Sequence, residues 1–206
     1  MFKKKRQLEI ALQDIPPHIS PKVELEQYST PAFIAADILW NAMSYGDLNN
    51  MKVVDLGCGT GIFTIGSALL GASESVGVDI DEDSISIARK QASIRGLNNT
   101  RFFLGDVAKF SESADTVIQN PPFGAQKANR KIADRIFLKK ALEIAPVVYS
   151  FHMKETQEFV VDLAKNYGAG VSHIFNYSFP IPKIYDFHVK EKLNVDVIVL
   201  RFEKVD

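Results

Sequence analysis

Lys52-Val53-Val54-Asp55-Leu56-Gly57-Cys58-Gly59-Thr60-Gly61 is the stretch on which the fold turns. Its first five residues read as a short buried strand. The glycines that follow stop it in a turn that permits positive φ and lets a ligand approach the backbone. Downstream, short apolar runs alternate with helical segments. The predicted strands are Ser75 to Asp79, Arg101 to Leu104, Asp115 to Gln119, Val147 to Phe151, Val171 to Phe179 and Val195 to Phe202. Between them, a helix after Asp79 puts Ile85, Ala88 and Ala92 on one face. Another, Ile132 to Ala145, turns Ile132, Ile136, Phe137, Leu142 and Ala145 inward, and a third spans Thr156 to Tyr167. Upstream, Lys3 to Asp14 is a short helix, Pro16, Pro17 and Pro21 punctuate an arm, and a second helix starts at Pro31 with Ile34, Ala35, Ile38, Leu39 and Ala42 at helical spacing. Alternating strand and helix predict an α/β fold, a mostly parallel sheet with helices on both faces. No helix separates the last two strands, so they close the sheet as an antiparallel pair.

Of 206 residues, 46% are hydrophobic, and 24 basic residues against 25 acidic ones give a net charge of −1. That suits one packed domain over 1–206, with residues 1–30 an arm contributing to the cofactor site, and excludes wholesale disorder and a globally basic nucleic-acid coat. The single Cys58 cannot form an internal disulfide, which predicts an intracellular, cytoplasmic protein. No stretch approaches the ~20 apolar residues that span a bilayer.

The glycine turn has spacing G-x-G-x-G rather than the G-x-G-x-x-G of dinucleotide enzymes, and Asp55 precedes it. A carboxylate there repels pyrophosphate but suits the cationic methionyl end of S-adenosylmethionine. Asp79 ends the second strand, within reach of ribose hydroxyls. Asp106, after the third, can accept from an adenine amino group beside the Val107 N–H. The three elements in this order favour S-adenosylmethionine, although a glycine turn alone also fits an ordinary tight turn. Asp81 reads as the N-cap of the following helix. Asp79, Asp81 and Asp83 imitate a calcium loop, but Ser84 and Lys90 stand where it needs Gly and Glu. His18, His152, His173 and His188 have no metal-ligand spacing, so no metal site is expected; they read as surface or core residues.

Gln119-Asn120-Pro121-Pro122-Phe123-Gly124 follows the fourth strand. Two prolines stiffen the loop and remove donors, leaving carbonyl acceptors beside the Asn120 side chain. This set suits methylation of an amine conjugated to a ring or carbonyl. Asn120 and the Pro121 carbonyl hold its two hydrogens, aiming the lone pair at the methyl. Phe123 stacks on the target base, worth ~1–3 kcal/mol. A rigid turn with a core phenylalanine is the plainer alternative.

These motifs, with Leu25-Glu26-Gln27-Tyr28-Ser29-Thr30-Pro31, resemble the small-subunit ribosomal RNA adenine-N6 methyltransferases of the methyltransferase-like family and their archaeal relatives, over nearly the whole chain. The resemblance implies the Rossmann-like seven-stranded class I sheet. It implies that Gln27, Thr30, Gly57, Thr60, Ile62, Asp79, Asp106 and Val107 touch S-adenosylmethionine. Tyr28, Asp55, Gly59, Gly61 and Ile80 complete the candidate cofactor set, while Asn120, Pro121, Pro122 and Phe123 hold the adenine. Eukaryotic members of that family work with a small zinc-binding activator protein at the sheet edge. Phe102-Phe103-Leu104, in a strand expected at an edge, is compatible with such a partner.

Between Lys127 and Lys140 lie six basic residues and one acidic one. They read equally as an RNA-tracking surface and as a solvated helix face; Lys127, Arg130, Lys131, His188 and Lys190 are the candidate RNA contacts. Guanine N2, cytosine N4, DNA adenine and protein glutamine remain open as substrates, as does a non-catalytic binding subunit.

Overall fold

The computed structural model describes residues 2–19, 21–22, 25, 27–122, 127–182 and 192–205, with the backbone alone described at 127–134, 181–182 and 192–193. Strands β1 (Lys52–Leu56), β2 (Glu74–Asp79), β3 (Thr100–Leu104), β4 (Thr116–Gln119), β5 (Val147–Met153), β6 (Ala169–Pro182) and β7 (Lys192–Lys204) form one sheet in the order β3-β2-β1-β4-β5-β7-β6. Five strands run parallel. β7 is antiparallel to both β5 and β6, so the closing pair expected from the sequence is present, with β7 inserted between its neighbours.

Alternation along β1 sorts its side chains between two cores. Val53 faces the layer of α1 (Lys5–Gln13), α2 (Ala32–Ser44) and α3 (Ile62–Leu69), where Leu8, Leu12, Ile38, Leu39 and Phe63 are buried. Val54 and Leu56 face α5 (Lys127–Ile144) and α6 (Gln157–Asn166), against Leu138, Leu142 and Val160. The layers are close: a methyl group at Gly66 of α3 would overlap Leu39 of α2. α4 (Glu82–Ile94) starts at Asp81, whose side chain accepts from Ser84 N at 3.2 Å, the N-cap expected.

Two expectations shift. α5 begins at Lys127, five residues before Ile132, because Lys, Ala and Arg propagate a helix without an apolar period. Ile136 is not inward; it is 43% exposed, and Leu138 and Ala141 take the buried face with Leu142. No helix among the described residues is long and apolar enough to cross a membrane.

Far from the glycine turn, Asp47 is buried with Arg201 of β7 and Tyr149 of β5. Arg201 donates from Nε and Nη2 to Asp47 at 2.8 and 2.9 Å, and Tyr149 donates to Asp47 at 2.5 Å.

Candidate functional site

The C-terminal ends of β1, β2 and β4 open into a groove made of two adjoining cavities. The first, about 270 Å³, is lined by Tyr28, Ser29, Thr30, Thr60, Ile62 and parts of the arm. The second, about 240 Å³, is lined by Gln27, Asp79, Ile80, Asp106, Val107, Pro122 and Phe137. Both share Gly57, Gly59, Asn120 and His18, which therefore form the neck between them.

Backbone geometry explains the glycines. Gly57, Gly59 and Gly61 have φ of +73°, +51° and +90°, a region open to glycine at little cost. Gly61 caps α3 and faces Ala88, Phe102 and Ile65 rather than either cavity, so it shapes the turn from behind. Asp79 is pinned: Gly59 N donates to its Oδ2 at 2.7 Å and Asp81 N to its Oδ1 at 2.9 Å. Burial still pushes its pKa up.

Asp55 lies elsewhere than the sequence reading put it. It occupies the β1 position that faces α3, is 1% exposed, and lines neither cavity. Its Oδ2 accepts from Thr64 N at 2.9 Å and Thr64 Oγ1 at 2.8 Å, while Oδ1 has no hydrogen-bond partner among the described residues. Burial raises its pKa to about 7 against those two bonds. The two-residue period of the strand turns this carboxylate away from the groove and under the loop.

The arm reaches the groove through α4. Lys22 pairs with Asp81, Gln27 Nε2 donates to Asp81 Oδ2 at 3.0 Å, and Lys22 N donates to Gln27 Oε1 at 2.8 Å. Burial opposes the ionised form of Asp81, but Lys22, Ser84 and Gln27 outweigh it and hold the pKa at about 2. Asp81 is thus a tether as well as a cap. His18, read from sequence as an unremarkable histidine, lies in the neck with Nδ1 2.9 Å from Ser84 Oγ. An isolated histidine in a proline-punctuated arm carries no spacing signal that could have found it.

At the end of β4, Asn120 Nδ2 donates to Thr30 Oγ1 at 2.9 Å. Its Oδ1 is shut off from solvent and has no partner among the described residues. Pro122 lines the second cavity; Pro121 is buried and lines neither. Phe123, His188 and Lys190 lie outside the described residues. Lys127, Arg130 and Lys131 fall in the first turns of α5, where only the backbone is described. Among the described residues no group of three His, Cys, Asp or Glu could hold a metal.

The groove fits S-adenosylmethionine. A pinned carboxylate stands in the wall of the second cavity, with Asp106 and Val107 alongside, and side-chain-free glycines floor the neck between two compartments.

A methyltransferase-domain family model matches residues 47–174. An uncharacterised protein of Methanocaldococcus jannaschii is 42% identical over 98% of this chain and 95% of its own. The rRNA N(6)-adenosine-methyltransferase METTL5 of Danio rerio is 36% identical over 97% of this chain and 98% of its own. The crystal structure of a candidate RNA methyltransferase from Pyrococcus horikoshii superposes with a TM-score of 0.91 at 39% identity, covering all of both chains.

Proposed function

The chain belongs to the class I methyltransferases, in the family that contains the rRNA N6-adenosine methyltransferases, and from that membership we propose that it transfers a methyl group from S-adenosylmethionine to the N6 amine of an adenosine in small-subunit ribosomal RNA. The observation that carries the reading is the orphaned Asn120 Oδ1. Buried acceptors are almost always paired, and this one, on a residue shared by both cavities, has no partner among the described residues, which leaves it to an incoming N–H. An exocyclic amine supplies it.

The bound cofactor contributes an electrophilic methyl on a sulfonium. The protein's part is positioning. Asp79 takes the ribose hydroxyls, and Asp106 with Val107 receives the cofactor's adenine in the second cavity. Tyr28, Thr30, Gly57, Thr60 and Ile62 surround the methionyl end in the first cavity, and Gln27 lines the second. Ile80, 60% exposed, covers the second cavity. Asn120 Oδ1 accepts one amine hydrogen and the Pro121 carbonyl the other, drawing the delocalised lone pair out of the ring plane and toward the methyl. The proton becomes acidic only after transfer and leaves to solvent, so no strong base is needed.

Phe123 stacks on the base, and Lys127, Arg130, Lys131, His188 and Lys190 serve the RNA backbone. We read residues 1–206 as one cytoplasmic catalytic domain with an N-terminal arm. The exposed β3 edge, where Phe103 and Leu104 are 36% and 51% exposed, is the place for a small zinc-binding activator.

Incubation with methyl-labelled cofactor and separate RNA, DNA and protein pools, followed by digestion, tests the reading. N6-methyladenosine from ribosomal RNA is expected; label in glutamine or in DNA overturns the substrate. Asn120→Ala lowers transfer about 10²–10³-fold with cofactor affinity retained. Unchanged transfer removes the mechanism.

A further inference from the structure

The neck between the cavities has one titratable wall that the mechanism above does not use. His18 is half-buried, and its Cε1–Nε2 edge lies across Gly59. A Cβ built on that glycine would stand 3.1 Å from both atoms, so a side chain there would press on the ring. His18 lines both cavities, so an occupant that spans them passes the ring.

Proton bookkeeping fixes the tautomer. Ser84 Oγ lies 2.5 Å from Asp81 Oδ2 and 2.9 Å from His18 Nδ1. Asp81 is ionised and donates nothing, so the one hydroxyl hydrogen of Ser84 points to Asp81. Ser84 Oγ must then accept from His18 Nδ1–H. The neutral ring is left with a bare Nε2 on the edge against the glycine loop.

We infer that His18 is a cofactor-contacting residue, neutral in the working enzyme, whose charge state sets how the groove discriminates cationic S-adenosylmethionine from its neutral thioether product, S-adenosylhomocysteine. The inference rests on the methyl-transfer reading above. Both molecules carry the same ammonium and carboxylate, so they differ at this site by one methyl and one positive charge. A bare imidazole tolerates the sulfonium; an imidazolium in the neck repels it and leaves the thioether unaffected.

The surrounding charges bear on when the ring protonates. Burial lowers the His18 pKa, and the carboxylates of Asp79 at the end of β2 and Asp81 at the start of α4 partly offset it. The Lys22 ammonium, from the arm itself, sits on Asp81. Asp106 lines the second cavity, and Asp55 lies under the glycine turn on β1. The ring is therefore neutral at pH 7 and charges on acidification.

The test is the ratio of dissociation constants, S-adenosylmethionine over S-adenosylhomocysteine, measured by calorimetry from pH 7.5 down to pH 5. Wild type, His18→Phe and His18→Gln are compared, with thermal melts to establish folding. In wild type the ratio rises several-fold as the ring protonates, on the order of the repulsion between unit charges a few ångströms apart in a hydrated groove. In both variants the rise is lost or much reduced, and both ligands bind more weakly at pH 7.5. Asp55 also titrates in this range, Asp79 has a raised pKa, and both remain in the variants, so an equal rise in wild type and variants assigns the effect to these carboxylates and overturns the inference. Unchanged affinities in both variants overturn it too, because a contact residue cannot be silent. Either of those results leaves the methyl-transfer reading standing if wild type methylates adenosine. A wild type that binds neither ligand defeats that reading, and this inference with it.

Discussion

Asp55 is held under the glycine turn by two bonds from Thr64, with one oxygen unpaired among the described residues and its pKa raised to about 7 by burial. The unfolded chain releases this proton near the ordinary carboxylate value of about 4, whereas the folded chain keeps it until about 7. Between those values the folded state binds more protons, so this group lowers stability as pH rises and contributes no slope above about 7. Asp55→Asn removes that contribution. Urea denaturation from pH 4.5 to 8 should give a stability difference, variant minus parent, that rises with pH and levels off near 7. A flat difference means that the carboxylate is not protonated in the folded protein. Gly77 belongs to the same cluster: a Cβ there would stand 2.8 Å from Thr64 Oγ1 and 2.9 Å from Cys58 Sγ, so Gly77→Ala presses on the bonds that hold Asp55.

The element that organises the groove is the first turn of α4. Asp81 caps it and also takes Lys22 and Gln27 from the arm. Asp81→Ala therefore has two separable effects. Loss of the cap costs about 1 kcal/mol of stability, read as a lower urea midpoint. Release of the arm weakens S-adenosylmethionine binding by on the order of tenfold, read by calorimetry. Asp81→Asn, whose side chain can still cap the helix but no longer pairs ionically with Lys22, should reproduce the second effect with little of the first. Parental cofactor affinity in Asp81→Asn would show that the ion pair to the arm does not support the site. The strands, the cap at Asp81 and the β6–β7 pairing were legible in the sequence because each rests on local chemistry: apolar runs, a short acceptor before a helix, two strands with no room for a crossover. The arm was legible only as prolines and a motif. Its tethers join residues about sixty positions apart, and neither His18 nor Lys22 carries a local pattern that says what it meets. Asp55 adjoins the glycines in sequence and carries a charge that suits a cationic ligand. Strand alternation sends it the other way.

Across the whole molecule, α1, α2 and β6 are joined by Asp37, which accepts from Lys5 Nζ at 2.5 Å and Tyr177 OH at 2.6 Å. The larger lock is Asp47 with Arg201 and Tyr149, buried at the end of the sheet away from the groove. Thr116 Oγ1 donates to the Asp47 carbonyl at 2.7 Å, which adds β4 to it. Asp47→Ala leaves the buried Arg201 with Glu203, 2.6 Å from Nη1, as its remaining carboxylate, so the cost approaches the roughly 3–5 kcal/mol of breaking a buried pair. The groove is built from other residues, and the folded variant should bind S-adenosylmethionine with unchanged affinity. A urea midpoint close to the parent's would mean that Arg201 finds solvent when Asp47 is gone. The same arrangement has a bearing on how the protein is made. β7 comes after every other strand in the chain yet lies between two of them. While the ribosome is still working, β5 presents a bare flank, and its neighbour emerges about fifty residues later, a wait of roughly 3–10 s at ordinary elongation rates. For those seconds the nascent protein has its glycine turn and most of its groove but an open sheet. That interval is when its unpaired strand edge is most open to pairing with another chain.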